Sequence, residues 1–208
     1  MIGLHWIARA GGVEPRLLED PDRLRRLLVS LPDALGLTRV GEPVVSGHAG
    51  VVLLSESHAS LHCDPAGGLF ADIFSCAPFD PGLAARLLEE AYAPASLSWR
   101  TLERGDGFEP SPGASPADGM PHHTSGLFRV RDPDGEVVAA LEALGFGQGA
   151  DRVQRFEPHG LSWLRRDGPR WVALHTWPER SLASVDVFAS EPLDLGARLA
   201  DLGWTAAQ

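Results

Sequence analysis

The chain has 208 residues, is 44% hydrophobic and 22% charged, and carries a formal net charge of -10. That length suits one large domain or two small ones with a sizeable core. The acidic balance, with no Lys/Arg run to neutralise phosphates, argues against nucleic acid. The absence of a bilayer-length apolar run argues against a membrane partner.

The opening MIGLHWIARAGG has no signal-peptide pattern, so the expected compartment is the cytoplasm. Cys63 and Cys76 make no disulfide framework, and both are expected as thiols. GLHWIARAGG reads as a first strand. EPRLLEDPDRLRRLLVSLPDALG places Leu17, Leu18, Leu24, Leu27, Leu28 and Leu31 at helical spacing, with Gly36 as a stop. HAGVVLLSESHASLHCD is extended, Gly67 and Gly68 mark a turn, and LFADIFSCA alternates like a strand. DPGLAARLLEEAYA is a helix capped by Asp80 with Pro81 in its first turn, and SLSWRTLER is another strand.

Residues 105–124 read as a Pro/Gly-rich linker, which makes the His122–His123 pair solvated loop residues. The order of elements then starts again. GLFRVRD is a strand, GEVVAALEALGF a helix, GLSWLRR and RWVALHTWPE a hairpin turning at Asp167-Gly168, SLASVDVFAS a strand and EPLDLGARLADLGW a final helix. Superimposing His62 on His175 lays LHCDPAGGLFADIFSC over LHTWPERSLASVDVFAS with one residue of slippage. The expected organisation is therefore an internal repeat: 1–104, the linker 105–124, and 125–208, packing as a pseudo-dimer.

The stretch LSESHASLH followed by DIFSC resembles the processing region of pyruvoyl-dependent S-adenosylmethionine decarboxylases. Small bacterial members carry Glu-Ser-His, a histidine four residues on within His-Thr-Trp-Pro-Glu, and then Phe-Thr-Cys. Upstream they carry Phe-x-Pro-x-Gly-x-Ser. The second repeat matches that upstream pattern at FEPHGLS, Phe156 to Ser162, and matches HTWPE at His175 to Glu179. The first repeat keeps Glu56-Ser57 and Cys76, but has Ala49 at the upstream serine, Pro43 at the phenylalanine and Ala66 at the glutamate. The second keeps Phe156, Ser162, His175 and Glu179, but has Arg170 at the cleavage serine and Ser190 at the cysteine. Neither half holds a full set, and their union does. Larger eukaryotic-type members of the family are likewise two fused halves with one surviving site.

The resemblance implies an α+β fold, a four-layer α/β/β/α sandwich built from the two tandem repeats. It implies a pyruvoyl group made from Ser57 itself, with neither pyridoxal phosphate nor metal. The Ser57 hydroxyl attacks the Glu56 carbonyl, the resulting ester eliminates, and hydrolysis leaves a ketone that condenses with the substrate amine and serves as electron sink. By resemblance His175 and Ser162 assist processing, and Cys76 protonates the decarboxylated product, a task suited to a thiol with an ordinary pKa of about 8.5. Phe156 would stack on adenine or face the sulfonium, and Glu179 would take the ribose hydroxyls. Family members carry acidic residues in the first strand where this chain has Ala8, Arg9 and Ala10; Trp6 or Ile7 is a candidate second apolar wall.

The expected partner is a small molecule, with the protein a monomeric pseudo-dimer or a homodimer. Two alternatives stay open. One keeps the chemistry but takes ornithine or arginine; the unpaired Glu179 would then discriminate against its own substrate. The other is a non-catalytic regulatory homologue, which has no need of Ser57 or Cys76. Blander roles also stand. His58, His62, Cys63 and Cys76 are potential metal ligands, although no Cys-x-x-Cys supports zinc. His62 could be a core or vestigial histidine, Cys63 a small buried residue, and Phe156 and Trp177 core aromatics.

Overall fold

The computed structural model describes residues 3–55, 57–104, 122–168 and 170–207. Two compact units divide the chain, Met1–Arg104 and Gly105–Gln208. Residues 105–121 of the expected linker lie outside the described residues. The strand that follows begins at His122 rather than after residue 124, so His122–Thr124 are not linker. Val187 pairs with Thr124, Phe188 with His123 and Ala189 with His122, and His123 is buried rather than solvated.

The first unit is a six-stranded antiparallel sheet, β1 (Gly3–Gly11), β2 (Val44–Ser46), β3 (Ala49–Leu54), β4 (Ser57–Asp64), β5 (Gly68–Ser75) and β6 (Ser96–Arg104), in the order β2-β3-β4-β5-β1-β6. Helices α1 (Pro15–Leu18), α2 (Pro21–Ala34) and α3 (Pro81–Tyr92) accompany it. Side chains alternate across a strand, and here the two faces differ in kind. Trp6, Ala8, Val52, Leu54, Ala59, Leu61, Ala71 and Ile73 form one core with Leu24, Leu28 and Leu31 of α2 and Ala84, Leu88 and Tyr92 of α3. Each buried leucine is worth roughly 1.5–3 kcal/mol. Close approach is built in at Gly50, where a Cβ would lie 2.6 Å from the Leu24 and Leu28 methyls. The alternate positions His5, His58, Ser60, His62 and Asp72 are buried and polar.

Two regions differ from the sequence reading. The leucine-rich stretch is two helices, not one, because Asp20 leaves the helical conformation and caps α2, accepting from Asp22 N at 2.9 Å and Arg23 N at 3.0 Å. The extended run from His48 to Asp64 is a hairpin, closed by Leu54 pairing with Ser57.

The second unit repeats the first strand for strand. β7 (His122–Arg129), β8 (Ala150–Arg155), β9 (Leu161–Asp167), β10 (Arg170–Trp177), β11 (Leu182–Ala189) and β12 (Thr205–Ala206) run in the order β8-β9-β10-β11-β7-β12. Helices α4 (Val137–Ala143) and α5 (Leu195–Leu199) pack with the sheet through Val137, Leu141, Phe146, Leu195, Leu199 and Trp204. The final helix is shorter than its pattern suggested, starting only where Asp194 accepts from Ala197 N at 2.9 Å. Cross-strand register fixes the equivalences: Ala49 faces His62 as Ser162 faces His175, and Leu54 faces Ser57 as Asp167 faces Arg170. The chain is thus α+β in two tandem repeats. No described helix is long and apolar enough to cross a membrane.

Candidate active site

Ser57 opens β4 and is buried. Its Oγ accepts from the main-chain N–H of Cys76 at 3.3 Å, so the hydroxyl and the cysteine are neighbours at one end of β4 and β5. The Cys76 side chain is half-buried. Glu56, which supplies the carbonyl in the expected cleavage, lies outside the described residues. Ser57 is compatible with a pyruvoyl group on two counts. The hydroxyl has a donor that holds it in place, and β4 pairs with β3 over Ser57–His62 and with β5 over His58–Asp64. A cut before Ser57 would leave β3 and β4 held together by their ladder, Leu54 still opposite Ser57.

On the polar face of the same sheet, Asp72 of β5 collects three side chains from the two strands beside it, β1 and β4. His5 of β1 meets its Oδ2 through Nε2 at 3.1 Å, and His58 of β4 meets the same oxygen through Nε2 at 3.2 Å. Ser60 Oγ donates to Oδ1, and His62 Nε2 lies 3.2 Å from that hydroxyl. Arg104 Nη2 contacts His5 Nδ1. A guanidinium can only donate, so His5 Nδ1 accepts, and the His5 proton sits on Nε2, facing Asp72. The guanidinium also lies 4.5 Å from the Phe74 ring centroid. An ionised Asp72 satisfies every one of these donors, which is what a buried carboxylate requires.

In the second unit, Ser162 Oγ and His175 Nδ1 are 2.8 Å apart, both buried, on adjacent strands. Hydroxyl and imidazole together offer a proton donor and an acceptor. Phe156 is half-buried at the end of β8, its N–H donating to Gly160 O at 2.9 Å. Glu179 is exposed on the single 3-10 turn Pro178–Arg180 after β10. Trp6, a candidate apolar wall, is instead fully buried in the helix-side core of the first unit, because its place in the β1 alternation points it toward α2 and α3. Cys63 is likewise a packing residue, with Sγ 3.8 Å from Tyr92 Oη; burial pushes its thiol up to about 12.

A family model described as S-adenosylmethionine decarboxylase matches residues 4–105. The S-adenosylmethionine decarboxylase proenzyme of Archaeoglobus fulgidus is 33% identical over 111 residues, 50% of this chain and 99% of that protein. The chain belongs to the S-adenosylmethionine decarboxylase family. The proenzyme of Thermoplasma acidophilum is 32% identical over 114 residues, 52% of this chain and 87% of that protein. The crystal structure of the adenosylmethionine decarboxylase from Aquifex aeolicus is 28% identical, covering 53% of this chain and 96% of that one, with a TM-score of 0.43.

These decarboxylase-family relatives correspond in length to about half of this chain. The sequence motifs single out Ser57, Cys76, Ser162 and His175 but not Asp72, on which His5, His58 and Ser60 converge. A signal for it existed: the superposition that aligns His62 with His175 also lays Asp72 over Asp186. The second unit keeps a looser version of the same pair, with His123 Nε2 3.7 Å from Asp186 Oδ1.

Proposed function

We propose that this family member is a self-cleaving, pyruvoyl-dependent decarboxylase acting on S-adenosylmethionine, whose product donates aminopropyl groups in cytoplasmic polyamine (spermidine) synthesis. The observation that carries the reading is Ser57: a buried serine in the family's Glu-Ser-His setting, opening a doubly paired strand with its hydroxyl against Cys76 N–H. In the proposed self-cleavage, Ser57 Oγ attacks the Glu56 carbonyl carbon and the Glu56–Ser57 C–N bond breaks, turning amide into ester. Loss of the Ser57 Cα proton then expels the Glu56 carboxylate, breaking the Cβ–Oγ bond. Water finally replaces nitrogen with oxygen at Cα and ammonia leaves. A donor aimed at Oγ stabilises negative charge developing there.

The pyruvoyl ketone supplies an electron sink for the electrons of the substrate carboxylate. Cys76 is assigned the return of a proton to the product. Cleavage is assigned a dependence on Ser162 and His175, whose hydrogen bond pairs a donor with an acceptor. Phe156 and Glu179 are assigned to adenine and ribose. A basic amino acid would give neither residue a partner, which favours the nucleoside substrate.

The test is the intact mass of the purified protein, alone and after S-adenosylmethionine, ornithine or arginine with a mild imine reductant. Two chains, 1–56 and 57–208, with an adduct of S-adenosylmethionine or its decarboxylated product on the second, are expected. An adduct from ornithine or arginine instead would reassign the substrate. A single uncut chain without adduct would overturn the enzyme and leave a regulatory homologue. Ser57→Ala is expected to abolish cleavage.

A further inference from the structure

The backbone ladder between β9 and β10 runs from Arg170–Asp167 and has its last registered pair at His175–Ser162. The hydroxyl–imidazole bond therefore sits at the end of that ladder: one residue on, Leu161 pairs with Arg155 of β8 and Thr176 with Ala183 of β11, but β9 and β10 have no further registered pair. There, side chains take over from the backbone. Leu161 N–H donates to Thr176 Oγ1 at 2.8 Å, and that hydroxyl donates in turn to Asp134 Oδ1. Asp134 lies on the connection between β7 and α4, and its Oδ2 accepts from Gly160 N–H at 3.2 Å. The carboxylate thus holds both strands just beyond Ser162 and His175. Gly160, whose carbonyl accepts from Phe156 N–H, is part of the same closure. Its φ of +100° and its fit against Thr176 O, which a Cβ would approach to 3.0 Å, require glycine there.

The first unit has no such clamp among its described residues. Cys63 stands where Thr176 does and turns to Tyr92, the main-chain Cys63 N–H donates to His48 O at 2.7 Å, and Ala49 offers no hydroxyl to be positioned. The clamp occurs in the repeat that has the serine–histidine pair.

We propose that Asp134 is a positioning residue for the reaction: through Thr176 and Gly160 it holds Ser162 against His175 and sets the loop that begins at Phe156. The proposal rests on the roles assigned above to Ser162, His175 and Phe156. Asp134 touches no reacting atom. It removes the freedom of a ladder end, and misplacement by about 1 Å is enough to cost roughly 10²-fold in rate.

The experiment uses the full chain. Self-cleavage is timed by mass for Asp134→Ala, Thr176→Val and Thr176→Ser. In a Ser57→Ala background, which stays uncut, the ring nitrogens of His175 are followed by ¹⁵N NMR. Cleavage about 10- to 100-fold slower is expected for Asp134→Ala and Thr176→Val, with recovery in Thr176→Ser, which restores the hydroxyl. The His175 Nδ1 signal in Asp134→Ala should move toward its position in Ser162→Ala. Wild-type rates together with an unmoved Nδ1 signal would overturn the proposal, as would a Thr176→Ser variant no faster than Thr176→Val. If Asp134→Ala fails to fold, Thr176→Val, which keeps the volume and loses the hydroxyl, decides alone. An uncut wild-type chain would overturn the reading of the reaction, and the His175 signals would still decide the clamp.

Discussion

Asp72 is the residue whose replacement tests the polar face of the first sheet most directly. Asp72→Asn keeps the volume and removes the charge, so no cavity contributes. Three donors converge on the carboxylate, from His5, His58 and Ser60, all buried. A hydrogen bond to a charged acceptor contributes about 1.5–3 kcal/mol and a neutral one about 0.5–1.5, so the substitution loses roughly 1 kcal/mol at each. The amide keeps its oxygen on the two imidazoles only by turning its N–H₂ to Ser60, whose hydroxyl must change from donor to acceptor. The sum falls in the range of about 3–5 kcal/mol known for breaking buried charge pairs. For a chain of this length each kcal/mol is roughly 2–4 °C, so the melting temperature should fall by about 6–20 °C. The assay is thermal unfolding by circular dichroism, in the Ser57→Ala background so that both proteins are single uncut chains. A melting temperature within about 2 °C of the parent would refute an ionised Asp72 as the organising group of that face.

Two further outcomes follow from side-chain environments. Cys63, raised to about 12 by burial, should resist alkylation in the folded protein, its thiolate fraction at pH 8 being roughly 10⁻⁴. Half-buried Cys76 should take the label; iodoacetamide followed by peptide mapping that found Cys63 modified before Cys76 would contradict this. In the second unit the Arg165 guanidinium, 2.6 and 2.8 Å from the Asp151 oxygens, holds that carboxyl below its ordinary range. A folded-state pKa below the unfolded one stabilises fully above about pH 4 and is lost as pH falls through the folded value. The small advantage of the parent over Asp151→Asn should therefore be present at pH 6 and shrink below pH 4, as read from melting temperatures across that range; an advantage independent of pH would contradict the pairing.

The sequence by itself determined much of what is local. Asp80 before Pro81 caps α3, and the leucines of α2 face one way, because caps and helical spacing act over a few residues. The repeat was legible because matching strands keep matching alternation, and the Ser57 and Ser162–His175 motifs because they are short and contiguous. Tertiary structure decided what pairing decides. HAGVVLLSESHASLHCD contains no Gly or Pro in its turn, so only the Leu54–Ser57 pairing reveals a hairpin whose second strand opens at Ser57. Trp6 read as a binding wall, and the β1 register instead sends it to the helices and His5 to the opposite face. His5 and Asp72 are 67 residues apart, and Asp134 and Thr176 are 42. No spacing in one dimension announces such contacts. They arise when sheet register brings β1, β4 and β5 side by side, and when the β7–α4 connection is laid across the end of β10.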